Sequence, residues 1–93
     1  MKCTILHDTA GRIRVHLEQP RMSLLQADIL EAYLRGTPGV ADVTVHDRTG
    51  NATILYTGSR APIVAALAAF SYERSAALAP EHSVRALNRE YED

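Results

Sequence analysis

Apolar and polar side chains alternate without a break in the run Gly11-Arg12-Ile13-Arg14-Val15-His16-Leu17. Strand side chains point to opposite faces with a period of two, so Ile13, Val15 and Leu17 enter one core while Arg12, Arg14 and His16 face away. A strand buried on one face only needs neighbours on its edges and a second layer against its apolar side. The rest of the chain must supply both.

Upstream, Lys2 to His7 is a strand-like run with Cys3, Ile5 and His7 expected on one face and Thr4, Leu6 and Asp8 on the other. Gly11 serves either a tight turn or a bulge, and the expectation is a bulge bending one long strand from Lys2 to Leu17. Glu18-Gln19-Pro20-Arg21 ends that strand. Ser23 followed by Gln26 is a capping-box pattern, and it predicts a helix whose apolar face is Leu25, Ile29 and Tyr33, joined by Leu30 and Leu34. Gly36, Pro38 and Gly39 stop the helix.

Val40, Val43 and Val45 then open a strand, Asp47-Arg48-Thr49-Gly50-Asn51 turns it, and Ala52-Thr53-Ile54-Leu55-Tyr56 returns antiparallel. Ser59 and Pro62 signal a second helix, with Ile63, Leu67 and Phe70 as its apolar stripe. Ser75 to Ala79 is a candidate short fourth strand, although its alanines are poor strand formers. Pro80 to Tyr91 reads as a third helix with Val84, Leu87 and Tyr91 on one side. The order βαββα(β) is that of an α+β, ferredoxin-like sandwich, an antiparallel sheet with two helices on one face. Ile13, Val15, Ile29, Tyr33, Val45, Ile54, Ile63, Leu67 and Phe70 form its expected core. Residues 1–79 are read as one domain, and 80–93 as a C-terminal helix or connector.

Ten Lys and Arg against eleven Asp and Glu leave a net charge of −1, which gives no reason to expect nucleic acid or an anionic membrane as partner. A local basic patch survives a neutral total, and Arg12, Arg14 and Arg21 suggest one around the first strand. An RNA-binding sheet would set aromatic residues for base stacking beside those arginines, but the outward positions here offer Thr44, Thr53 and Leu55. The single cysteine, Cys3, excludes an internal disulfide. No apolar run approaches the roughly 18 residues of a membrane span, and Met1-Lys2-Cys3 does not open a signal peptide, so this segment is expected in the cytoplasm with no direct membrane insertion.

Gly11-Arg12-Ile13-Arg14-Val15, a helix closing on Thr37-Pro38-Gly39-Val40, then Val43-Thr44-Val45 and Gly50-Asn51-Ala52-Thr53-Ile54 together resemble the heavy-metal-associated domain family. Ile5-Leu6-His7 and the tail Arg85-Ala86-Leu87-Asn88-Arg89-Glu90-Tyr91 are similar to the N-terminal region of bacterial heavy-metal-translocating P-type ATPases. The resemblance covers nearly the whole chain. It implies a non-catalytic regulatory or interaction module of a metal-transporting ATPase, whose parent lies in the inner or plasma membrane. The implied partners are other domains of that parent, or another protein. ATP hydrolysis would then belong to later domains, whose Asp-Lys-Thr-Gly motif is not in these residues.

That family binds metal on a Met-x-Cys-x-x-Cys loop between the first strand and the first helix. Its usual spacing back from Pro38 puts the two cysteines at Ser23 and Gln26, degenerate positions where neither side chain can be a thiolate. Soft Cu(I) and borderline Zn(II) favour sulfur, and a hydroxyl and an amide offer no comparable affinity. The alternative reading is a stand-alone module that binds a divalent transition metal, or a protein, through Cys3 and His7 or through the sheet-face histidines His16 and His46. Cys3 and His7 lie roughly 13 Å apart at ~3.3 Å per residue, too far to chelate one ion together. An acylphosphatase-like enzyme would need a Gly-x-Val-x-Gly-Val-x-Phe-Arg loop, which is missing, and no Ser/His/Asp set, P-loop or carboxylate pair appears.

Overall fold

The computed structural model describes residues 1–19 and 21–78. The helix or connector expected over residues 80–93, with Val84, Leu87 and Tyr91, lies outside the described residues, as does Ala79.

The alternating run forms β2 (Arg12–Leu17), and it is an inner strand of a four-stranded sheet. Upstream of it is a separate strand, β1 (Cys3–Thr9), paired antiparallel with it from Cys3 opposite Leu17 to Thr9 opposite Arg12. The expected single bent strand is therefore a hairpin. Only the second residue of its two-residue loop, Gly11, has positive φ (81°), the pattern of a type II turn. Folding back gives the β1 backbone a hydrogen-bonding partner that a continuous strand would lack.

After β2 come α1 (Leu24–Arg35), β3 (Val40–His46), β4 (Asn51–Tyr56), α2 (Ala61–Ala69) and a single 3-10 turn, Ala76–Leu78. The sheet order is β1-β2-β4-β3 with every neighbouring pair antiparallel. β2, α1 and β3 thus make a split βαβ unit with β4 inserted between its strands, an α+β arrangement compatible with the ferredoxin-like class. The fourth strand comes from the N-terminus. Ser75 to Leu78 form no strand: the alanine-rich stretch coils into the 3-10 turn, and β1 fills the edge beside β2.

The core gathers on the helix side of the sheet. Ile13, Val15 and Leu17 of β2, Val43 and Val45 of β3, Ala52, Ile54 and Tyr56 of β4 are buried, with Ile63, Leu67 and Phe70 from α2 and its end. α1 packs chiefly on β3 and buries Ala27, Ile29, Leu30 and Leu34. Tyr33 is half-buried against this core, its hydroxyl donating to the Ala66 carbonyl at 2.8 Å and its ring 4.9 Å from that of Phe70. Leu25, expected on this face, is exposed. At 100° per residue it sits about 140° round the helix from Leu30, at the edge of the buried stripe.

Two bulges set the register. One falls between Val40 and Asp42, so that Val40 and Val43, three apart, both turn toward the helices. The other falls between Ile5 and His7 and is taken up by Leu6. The turn into β3 depends on Gly39, whose φ is 85° and whose absent Cβ would stand 2.9 Å from the Thr57 carbonyl oxygen. Among the described residues no helix is long and apolar enough to cross a membrane.

Val15 is fully buried opposite Ile5 and Ala52, in the middle of the core face. A Val15→Asp variant should lose several kcal/mol, on the order of the whole stability of a small domain. Thermal unfolding followed by circular dichroism checks this; a melting temperature within about two degrees of wild type would remove β2 from the core.

Candidate functional site

The junction between β2 and α1, where the resembled family carries its metal loop, is built as a helix start. Ser23 is the N-cap, and its hydroxyl accepts from the Gln26 backbone N–H at 3.0 Å. Gln26 Oε1 accepts in return from the Ser23 N–H at 3.0 Å. The same oxygen accepts from Gln19 Nε2 at 2.9 Å, and Gln19 Oε1 accepts from the Tyr72 hydroxyl at 2.7 Å. Burial pushes the Tyr72 hydroxyl pKa up, with the bond to Gln19 opposing the shift.

This relay consumes both degenerate positions. The two Gln26 Oε1 hydrogen bonds leave that oxygen no ready lone pair, and neutral oxygen donors are a poor match for soft metals in any case. Ser23 and Gln26 do not fit a thiolate-site metal. Met22, just before the cap, is buried, and its N–H donates to the Asp47 carbonyl at 3.3 Å, tying the junction to the β3–β4 turn. No local sequence period marks Gln19, Met22 and Tyr72 for this role, because the Tyr72–Gln19 and Met22–Asp47 hydrogen bonds join residues far apart in the chain.

Cys3 and His7 are on opposite faces of the sheet, contrary to expectation. Cys3 stands across from Leu17, half-buried against the core, and burial raises its thiol pKa while the N-terminal ammonium pulls the other way. The Leu6 bulge resets the alternation and places His7 across from Arg14. Both separation and direction exclude a shared ion.

The face of the sheet away from the helices is a grid of three rows. The first is Thr4, His16, Asn51 and His46, in the order β1, β2, β4, β3. The second is His7, Arg14, Thr53 and Thr44, and the third is Thr9, Arg12, Leu55 and Asp42. His16 and His46 thus share a row with Asn51 between them. His16 Nδ1 lies 2.8 Å from Asn51 Oδ1, so the Nδ1–H tautomer donates to the amide. Among the described residues no group of three or more His, Cys, Asp or Glu could hold a metal ion.

Arg12 and Arg14 stand on this face, whereas Arg21 lies in the loop before α1, apart from the grid. A depression of about 480 Å³ opens where Arg14, Val45, His46 and Asn51 meet Asp47, Arg48 and Thr49 of the β3–β4 turn. Arg48 and Asn51 read in sequence only as turn residues. The register that sets Asn51 between His16 and His46 is what brings that turn to the face. Comparisons with protein-family models, curated proteins and solved structures find no significant match to this chain.

If the capping box stabilises the junction, Ser23→Ala should cost ~1 kcal/mol and lower the melting temperature by roughly 4–8 °C. Ser23→Asp, which keeps an oxygen acceptor at the cap, should restore most of the loss. An alanine variant melting with wild type would show that the cap contributes nothing.

Proposed function

We propose that this domain is a non-catalytic interaction module of heavy-metal-associated type, the N-terminal regulatory or interaction domain of a P-type metal-transporting ATPase from which the thiolate site has been lost. One observation carries the reading: the strand-to-helix junction sits where that family binds its metal, and both ligand positions serve as a helix cap. The split βαβ scaffold and the Pro38-Gly39-Val40 entry to β3 are compatible with the same family. A domain with this scaffold and no thiolate pair acts by docking, without handing over an ion.

In this reading the transported metal is cargo of other segments of the parent protein, and the domain works at the cytoplasmic side of the inner or plasma membrane. ATP hydrolysis is likewise assigned elsewhere. The stand-alone metal-binding alternative draws less support, since its Cys3 and His7 point to opposite faces and its His16 and His46 are separated by Asn51, with which His16 shares a hydrogen bond. The length of the encoding reading frame separates a module of a transporter from an independent protein.

Competition with a Cu(I) chelator tests the loss of the site. The purified domain should take up Cu(I) no better than a comparable protein with one accessible cysteine. A one-to-one complex of sub-nanomolar affinity, abolished by Cys3→Ser or His7→Ala, would contradict the proposal.

A further inference from the structure

The chain as a whole is close to neutral, yet the open sheet face and its adjoining turn carry Arg12, Arg14 and Arg48 beside His7, His16 and His46. Arg12, Arg14 and Arg48 form no ion pair among the described residues. The neighbouring carboxylates are already engaged. Asp42, the one acid of the grid, accepts from Arg35 at 2.9 Å; Asp8 pairs with Arg60; Asp47, which lines the depression, is largely buried and has an interaction of its own. The face is therefore cationic in effect.

Its spacing selects the shape of the ligand. Arg12 and Arg14 are two residues apart on one strand, which separates them by roughly 6.6–7 Å, the distance between alternate side chains of any extended chain. An extended segment with carboxylates at alternate positions matches that spacing, each carboxylate meeting a guanidinium fork while the threonines beside them donate hydrogen bonds. Nucleic acid is the poorer match, because the grid offers no Phe, Tyr or Trp and leaves bases only histidines and arginines to stack on.

We propose that the open face of the sheet, centred on Arg12, Arg14 and Arg48, docks an extended acidic segment of a partner protein. One carboxylate of that segment meets Arg14 and Arg48 at the depression that these arginines line with Val45, His46, Asp47, Thr49 and Asn51. The proposal names the partner chemistry for the interaction reading and rests on it for its biological purpose only. The two fail separately, since Cu(I) competition is blind to this face and peptide binding is blind to metal.

The test is an NMR titration of the isotope-labelled full chain with a synthetic peptide of alternating Glu and Thr. Parallel titrations use the matching Lys-Thr peptide, inorganic phosphate and a single-stranded RNA oligonucleotide. Saturable shifts should be confined to β2, β4 and the β3–β4 turn, and affinity should fall as salt is raised. Arg14→Glu and Arg48→Glu, both at exposed positions, should each weaken binding at least about fivefold. The salt series on wild type gives a readout that needs no variant. Absence of saturable shifts, equal binding of the Lys-Thr peptide, or undiminished binding by both variants would overturn the proposal. Phosphate saturating the same amides at equal affinity would make this a small-anion site, and tighter binding of RNA would make it a nucleic-acid face; either result also overturns it.

Discussion

Everything in this domain depends on burying one side of β2. Ile13 and Val15 are fully buried and Leu17 nearly so, and β2 is flanked on both edges by β1 and β4. A slip of one residue in either pairing would turn Arg12, Arg14 and His16 into the core, so the hydrophobic contact fixes register as well as stability. That register then determines what lies on the opposite face. His16 meets Asn51, with His46 beyond it in the same row, and Arg14 meets His7 and Thr53, because the apolar residues between them are held inside.

The core was legible in sequence because it follows simple periods. The alternation in β2, Val43 and Val45 of β3 and the stripe of α2 all bury the residues that their spacing marks, and Ser23 with Gln26 forms the capping box that its pattern announces. What escaped reading is what a local period cannot encode. Gly11 has the same signature in a bulge and in a turn, and only the availability of the β2 edge decides for the hairpin. The Leu6 bulge moves His7 across the sheet without any glycine or proline to mark it. Asn51 reaches the open face by pairing with His16, 35 positions away, and Arg48 of the adjoining turn comes with it to the depression.

The residues that carry the family resemblance divide into two kinds. Gly11 and Gly39 are required by backbone geometry in this chain, with positive φ at both and a carbonyl where the Gly39 Cβ would stand. They describe a scaffold. Ser23 and Gln26, at the positions where the resembled family does its chemistry, are committed to each other and, through Gln19, to Tyr72. In the proposed function, then, the work of the domain passes from the junction to the sheet face, where unpaired guanidinium groups remain available.

The central proposal, that the β2–α1 junction occupies the place of a metal loop that has lost its sulfur, can be tested by putting the sulfur back. A Ser23→Cys/Gln26→Cys double variant places two thiols at the start of α1, where the helix N-terminus favours thiolates. Cu(I) affinity should be measured by chelator competition on wild type and variant, with circular dichroism to follow the fold. The expected result is a folded variant that gains a one-to-one Cu(I) complex far tighter than wild type forms. A folded variant that binds Cu(I) no better than wild type would show that the junction is not a metal loop in disguise, and the proposed kinship would fall with it.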